Sequence, residues 1–227
     1  MYILIFLALL VSLVGINIDR TPKYSKPPAQ KPTAKVVPQP TSKVAIGDPN
    51  NILVVVNKKR PLPDGYAPTD LMGPLRSEAK KNLDSLISGA NSSNVNLKII
   101  SGYRSQSSQA TLYNSYVKRD GQAAADMYSA RPGYSEHQTG LAIDLGNTNG
   151  SCDLEVCFEN TTGGLWIKAN VQNYGFIVRY PNGKTDITGY QYEPWHLRYV
   201  GIETAKAIYA SGKTFEEYSG LPPAPNY

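Results

Sequence analysis

The apolar and polar positions of this 227-residue chain fall into blocks with different periods. Residues 1–18, MYILIFLALLVSLVGINI, are almost wholly apolar and uncharged. Such a run at an N-terminus addresses a membrane, either as a signal peptide or as an anchor near the short limit of a spanning helix. It lacks a positive n-region and a small-residue cleavage site, and no cysteine follows for a lipid anchor, so cleavage and retention both stay open. Residues 19–50 are rich in Pro, Lys, Ser and Thr, which predicts an extended, disordered linker. From there the periods become those of a packed domain, expected over residues 51–222. ILVVV at 52–56 predicts a short buried strand, followed by a Pro-rich surface loop. Leu75, Ala79, Leu83 and Leu86 recur at helical spacing, LKIIS at 97–101 predicts a strand, and residues 105–119 and 122–129 predict two helices. LAIDL at 141–145 alternates, placing Ala142 and Asp144 on one face and Leu141, Ile143 and Leu145 on the other. A helix closed by Gly175, strands in GFIVRY and WHLRYV, and a helix capped by Gly212 complete the pattern. Irregular interleaving of short strands and helices predicts an α+β fold with a small, mostly antiparallel central sheet and flanking helices.

Charge changes this picture in one respect. Residues 19–48 carry six Lys or Arg against two Asp, which is +4 of the formal net charge of +5. The folded part is therefore close to neutral, and the basic character belongs to the linker rather than to a nucleic-acid-binding face. No nucleic-acid partner is expected, and the domain is expected to be a monomer. Cys152 and Cys157 are the only cysteines. In an exported chain they predict a local disulfide, with a zinc-binding pair as the competing reading.

The chemistry concentrates around two scarce residues. His137, in SEHQTGLAIDL, stands seven positions before Asp144, and His196, in YEPWHLRYV, stands three after Glu193; the chain has no other histidine. Two neutral imidazoles and one carboxylate suit a catalytic zinc, which takes three protein ligands and keeps one position open for water. Ser135 to Thr139 can form a turn that brings His137 alongside Asp144, with Gly140 permitting the reversal. Glu193 is then the candidate base. On a regular strand Glu193 and His196 would face opposite sides, but Pro194 cannot donate to a ladder, so a kink or bulge is expected there. Tyr192 and Trp195 are expected to wall the site. There is no GxSxG elbow to suggest a serine nucleophile.

These residues resemble a known family. Ser135, His137, Gly140, Ala142 and Asp144 fit the SxHxxGxAxD pattern, and Glu193, Trp195 and His196 the ExWH pattern, of VanY-type D-alanyl-D-alanine carboxypeptidases, within the lysostaphin and hedgehog group of zinc folds. SGYRSQSSQATLY at 101–113 and the long stretch at 175–201 add to the likeness. The resemblance implies a hedgehog-like fold and one Zn2+ on His137, Asp144 and His196. It also implies Glu193 as base, Arg104 as the cation facing the substrate carbonyl, and Ser135 and Gln109 as substrate contacts. The expected activity is removal of the terminal D-alanine from peptidoglycan stem peptides at the bacterial cell surface, with the N-terminal segment holding the chain to the membrane if uncleaved. L,D-carboxypeptidase, D,D-dipeptidase and endopeptidase activities are the enzymatic alternatives. A non-catalytic wall-binding module is the alternative of another class.

Overall fold

The computed structural model describes residues 45–227. The expected signal or anchor segment and most of the expected linker lie outside these residues. Among the described residues no helix is long and apolar enough to cross a membrane.

A two-stranded hairpin, β1 (Leu71–Met72) and β2 (Leu75–Arg76), leads directly into α1 (Ser77–Ser92). This helix forms because Ala79, Leu83, Leu86 and Ala90 make one continuous apolar stripe, and all four are fully buried. Burying each leucine contributes on the order of 2 kcal/mol. β3 (Leu97–Ser101) follows, then α2 (Gln106–Asp120), whose first turn is capped by the Ser105 hydroxyl accepting from the Ser108 amide at 3.2 Å. α3 (Gln122–Tyr128), β4 (Ala142–Asn147), α4 (Thr162–Asn170), β5 (Phe176–Tyr180), α5 (Thr185–Thr188), β6 (Glu193–Tyr199), α6 (Ile202–Ser211) and α7 (Phe215–Tyr218) complete the order. The segment expected as one helix up to Gly175 is α4 followed by a separate 3-10 turn, Val171–Tyr174, which Gly175 ends in the left-handed region.

β3, β4, β6 and β5 form, in that spatial order, one antiparallel sheet. The α+β expectation therefore holds. One face of the sheet is apolar: Ile143, Leu145, Phe176, Leu197 and Tyr199 pack with Leu83, Leu86 and Ile167 in the main core. The other face presents Asp144, His196, Arg198 and Arg179, all buried. A sheet covered on both sides with charge on one of them needs partners for every charge.

Two expectations need correction. Residues 52–56 are not a strand; they are a buried, irregular segment in which Val54, Val55 and Val56 are nearly inaccessible. Their polar groups find partners other than a ladder. Arg198 Nη2 donates to the Ile52 and Val54 carbonyls at 2.9 and 2.6 Å, Arg60 Nε donates to Val55 O at 3.3 Å, and the Val55 amide donates to Ile46 O at 3.0 Å. A core arginine has taken the place of a neighbouring strand. The packed region also extends past both expected boundaries. Ile46 is buried against Val200, Ala205 and Phe215, and at the far end Ala224 is buried while the Tyr227 hydroxyl accepts from the Arg131 amide at 2.8 Å.

Candidate active site

The site is assembled from three segments that the sheet brings together. His137 lies on a 3-10 turn, Glu136–Thr139, ended by Gly140 at φ 67°. A side chain there would be strained, and its Cβ would come within 2.9 Å of Leu71 Cδ2, so the tight reversal expected from Gly140 depends on glycine. Asp144 is on β4 directly opposite His196 on β6. The β5–β6 ladder slips beyond that point: Val178 pairs with Leu197, yet Tyr180 pairs with Glu193. Two residues on β5 thus face four on β6, which is the bulge expected around Pro194. It turns Glu193 to the same side as His196, and Glu193 Oε2 lies 3.8 Å from His196 Nδ1.

His137 Nε2 is 3.3 Å from Asp144 Oδ2, and His196 Nδ1 is 3.1 Å from Asp144 Oδ1. One donor atom from each of the three lies within 4.8 Å of the others, a group that could hold a metal ion. The electrostatics favour a cation. Burial raises the pKa of Asp144, but His137 and His196 outweigh it and hold the carboxyl well below the usual carboxylate range. Burial also disfavours charge on His196, yet the neighbouring Asp144 and Glu136 carboxylates draw it up to about 9, whereas burial lowers His137. Glu193 is pushed up to about 8 by burial, with His196 opposing. The Asp144 Oδ1 atom is buried without a hydrogen-bond partner among the described residues, while His196 Nε2, on the far side of its ring, faces Glu136 Oε2 at 3.6 Å. A buried donor left open in this way, in a group of two imidazoles and a carboxylate with no fourth protein ligand among the described residues, matches the donor set of a hydrolytic zinc site.

A cleft of about 290 Å³ opens over these residues, lined also by Arg104, Gln109, Ser135, Tyr180, Trp195 and Leu154. Arg104 enters it from the loop after β3, where its amide donates to His137 O at 3.1 Å. Its guanidinium donates to Gln109 Oε1 at 2.8 Å and Ser101 Oγ at 2.6 Å, both neutral. Among the described residues no carboxylate forms an ion pair with it, which leaves its charge available. Gln109, expected as a substrate contact, gives its carbonyl to Arg104 and its amide to Ala130 O at 2.6 Å, so it braces the arginine. Ser135 and Trp195 both line the cleft. Tyr192 does not. The bulge points it to the opposite side, where with Pro194 it lines a second cleft and donates to Glu159 Oε2 at 3.1 Å.

Cys152 and Cys157 form a disulfide with Cα atoms 5.6 Å apart. The small loop it closes carries Leu154, in the left-handed region at φ 55°, onto the rim of the cleft. Sequence reasoning passed over Glu136, Arg179, Arg198 and Glu216, four charged side chains fully buried behind the site. The only signal was their position inside otherwise apolar strands and turns, RY in FIVRY and in WHLRY.

A hydrolytic metal site on a small antiparallel sheet defines a class of peptidase, and comparison with known proteins makes it specific. Residues 73–202 match the family model for VanY, D-alanyl-D-alanine carboxypeptidase. The putative carboxypeptidase YodJ of Bacillus subtilis (strain 168) is 41% identical over 187 residues, covering 76% of this chain and 68% of YodJ. The structure of the LdcB LD-carboxypeptidase superposes with a TM-score of 0.72 at 40% identity, over 77% of this chain and 88% of that one. A point mutant of the vancomycin-resistance D,D-pentapeptidase VanY of the VanB-type cassette, in complex with Zn(II), superposes with a TM-score of 0.65 at 32% identity, over 75% of this chain and 99% of that one. The chain belongs to the VanY family of D-alanyl-D-alanine carboxypeptidases.

Proposed function

We propose that the protein is a zinc carboxypeptidase that cuts the terminal D-alanyl-D-alanine bond of peptidoglycan stem peptides. The observation that carries this reading is the convergence of His137, Asp144 and His196 beside a buried Glu193 in one cleft. A purely structural zinc closes its fourth position with a protein donor and has no use for an unliganded carboxylate next to it. Zn(II) held by the three side chains supplies, when bound, a Lewis acid that acidifies water and polarises a peptide carbonyl. Glu193 takes the proton from the attacking water and delivers one to the leaving amine. Arg104, held in place by Gln109 and Ser101, donates to the carbonyl oxygen as it gains negative charge. Ser135 and Trp195 face the bound peptide. An apolar N-terminal segment and a basic linker suit an exported enzyme tethered close to its polymer, where the effective substrate concentration is high.

A second reading, release of D-alanine from a tetrapeptide stem by an L,D cut, is supported by the higher identity to LdcB than to the D,D-pentapeptidase. The two separate by product mass. Incubation with pentapeptide and tetrapeptide stems, with and without chelator, should give loss of one alanine from the pentapeptide alone. Loss from the tetrapeptide selects the second reading, and products that persist under chelation sink the metal mechanism. Glu193→Ala should keep its zinc while turnover falls by about 10²- to 10⁴-fold. Unchanged hydrolysis would remove Glu193 from the role of base.

A further inference from the structure

The buried charges behind the site meet at one carboxylate. Glu136 Oε1 accepts from Arg179 Nε at 2.8 Å and from Arg198 Nη1 at 2.7 Å. Arg179 also makes a two-pronged pair with Glu216, at 2.9 and 2.6 Å, and Asn57 Nδ2 donates to Glu216 Oε1 at 3.1 Å. Phe215 lies under both guanidinium groups. Both arginines thus act on the same oxygen of Glu136 and fix the plane of its carboxylate, while the other oxygen, Oε2, has no hydrogen-bond partner among the described residues. It stands 3.6 Å from His196 Nε2, which also has none.

The two histidines turn opposite nitrogens to the triad. His137 Nδ1 lies 2.8 Å from the Gly102 carbonyl, and a carbonyl can only accept, so Nδ1 carries the hydrogen and Nε2 faces Asp144 with its lone pair. His196 is reversed: Nδ1 faces Asp144 and Nε2 faces Glu136. With Nδ1 given to a metal, the ring hydrogen of His196 must sit on Nε2, in a place where a buried N–H needs an acceptor. We propose that Glu136 is that acceptor, a positioning residue that selects the Nδ1-binding tautomer of His196 and is itself aimed by Arg179 and Arg198. Closing the 3.6 Å gap to hydrogen-bond distance takes a shift of well under 1 Å. The inference rests on the reading of His196 as a metal ligand, and on nothing about which peptide bond is cut.

Because His137 and His196 are the only histidines in the chain, a full-length sample with 15N-labelled imidazoles shows just two rings by NMR. In the zinc-loaded protein, His196 should show a protonated, downfield Nε2–H and a metal-shifted Nδ1, with His137 the reverse. Glu136→Gln should move the His196 ring signals, leave those of His137 in place, and weaken Zn(II) affinity, measured by competition with a chelator, by roughly 10- to 100-fold. Glu216→Gln strains the same ion cluster without touching His196. It should lower the unfolding midpoint while leaving both the His196 signals and the affinity unchanged. Equal effects of the two variants, or a zinc affinity for Glu136→Gln within about twofold of wild type, would overturn the proposal. Should Glu136→Gln fail to fold, the unmodified protein still decides: a metal-shifted Nε2 on His196 refutes it. Failure to cleave any stem peptide would count against the proposed function and leave these readouts untouched.

Discussion

Two buried polar clusters lie side by side on the same face of the sheet, and they are built on opposite rules. In the cluster of Glu136, Arg179, Arg198 and Glu216, two cations balance two carboxylates, both guanidinium groups are fully engaged, and only Glu136 Oε2 is left over. In the cluster of His137, Asp144, His196 and Glu193, carboxylates crowd two imidazoles, and the Asp144 Oδ1 atom that faces His196 Nδ1 has no hydrogen-bond partner among the described residues. Burial alone therefore does not mark a functional site. The difference lies in whether the protein completes its own hydrogen bonds or leaves capacity for something from outside, and only the second arrangement suits an ion and a substrate.

This contrast can be broken most severely at Arg179. Replacing Arg179 with Met strands Glu216 as a buried charge, leaves Glu136 to Arg198 alone, and should cost about 3–5 kcal/mol in denaturant unfolding. The same measurement on Glu193→Ala should show a change below about 1 kcal/mol, since among the described residues no Lys or Arg forms an ion pair with that carboxylate and His196 approaches it only to 3.8 Å. A large loss there would mean that the open cluster also holds the fold together. A smaller effect is expected at the rim. Replacing Cys152 and Cys157 together with Ser releases a short loop and should cost about 2 kcal/mol by the loop-entropy relation. Because Leu154 reaches the cleft, KM should rise more than kcat falls; steady-state kinetics with unchanged KM would detach the loop from substrate binding. The smallest effect is expected from Tyr192→Phe, which removes one half-exposed hydrogen bond to Glu159 and should cost about 1 kcal/mol or less with turnover intact. A loss of turnover would return Tyr192 to the active site.

The site was more legible in the chain than the frame that supports it. Two lone histidines, an aspartate at alternating spacing and a Pro-containing Glu-x-x-His stretch are local signals, and the structure brings all four side chains together. Strand β6 and the bulge could be expected because proline cannot continue a ladder. Residues 52–56 misled because an apolar run of β-branched residues fits a buried strand and a buried coil equally well. Only Arg198, more than 140 positions away, decides between them by taking the Ile52 and Val54 carbonyls. Tyr192 misled for a related reason: the expected bulge was right, but its sense fixes which neighbour turns away from His196 and Asp144, and that depends on pairing with β5. Gln109 shows the same limit, since the partner that occupies it, Arg104, is visible only in three dimensions.

The slip in the ladder has a further consequence. His196 is gauged by its pairing with Asp144 on one neighbour of β6, whereas Glu193 is gauged by Tyr180 on the other. The Glu193 carboxylate and the His196 imidazole thus hang from different strands, joined through Pro194 and Trp195. Changes in that two-residue link would alter the distance between them while the pairing of His196 with Asp144 stays as it is, giving one scaffold a way to adjust its chemistry without rebuilding its centre.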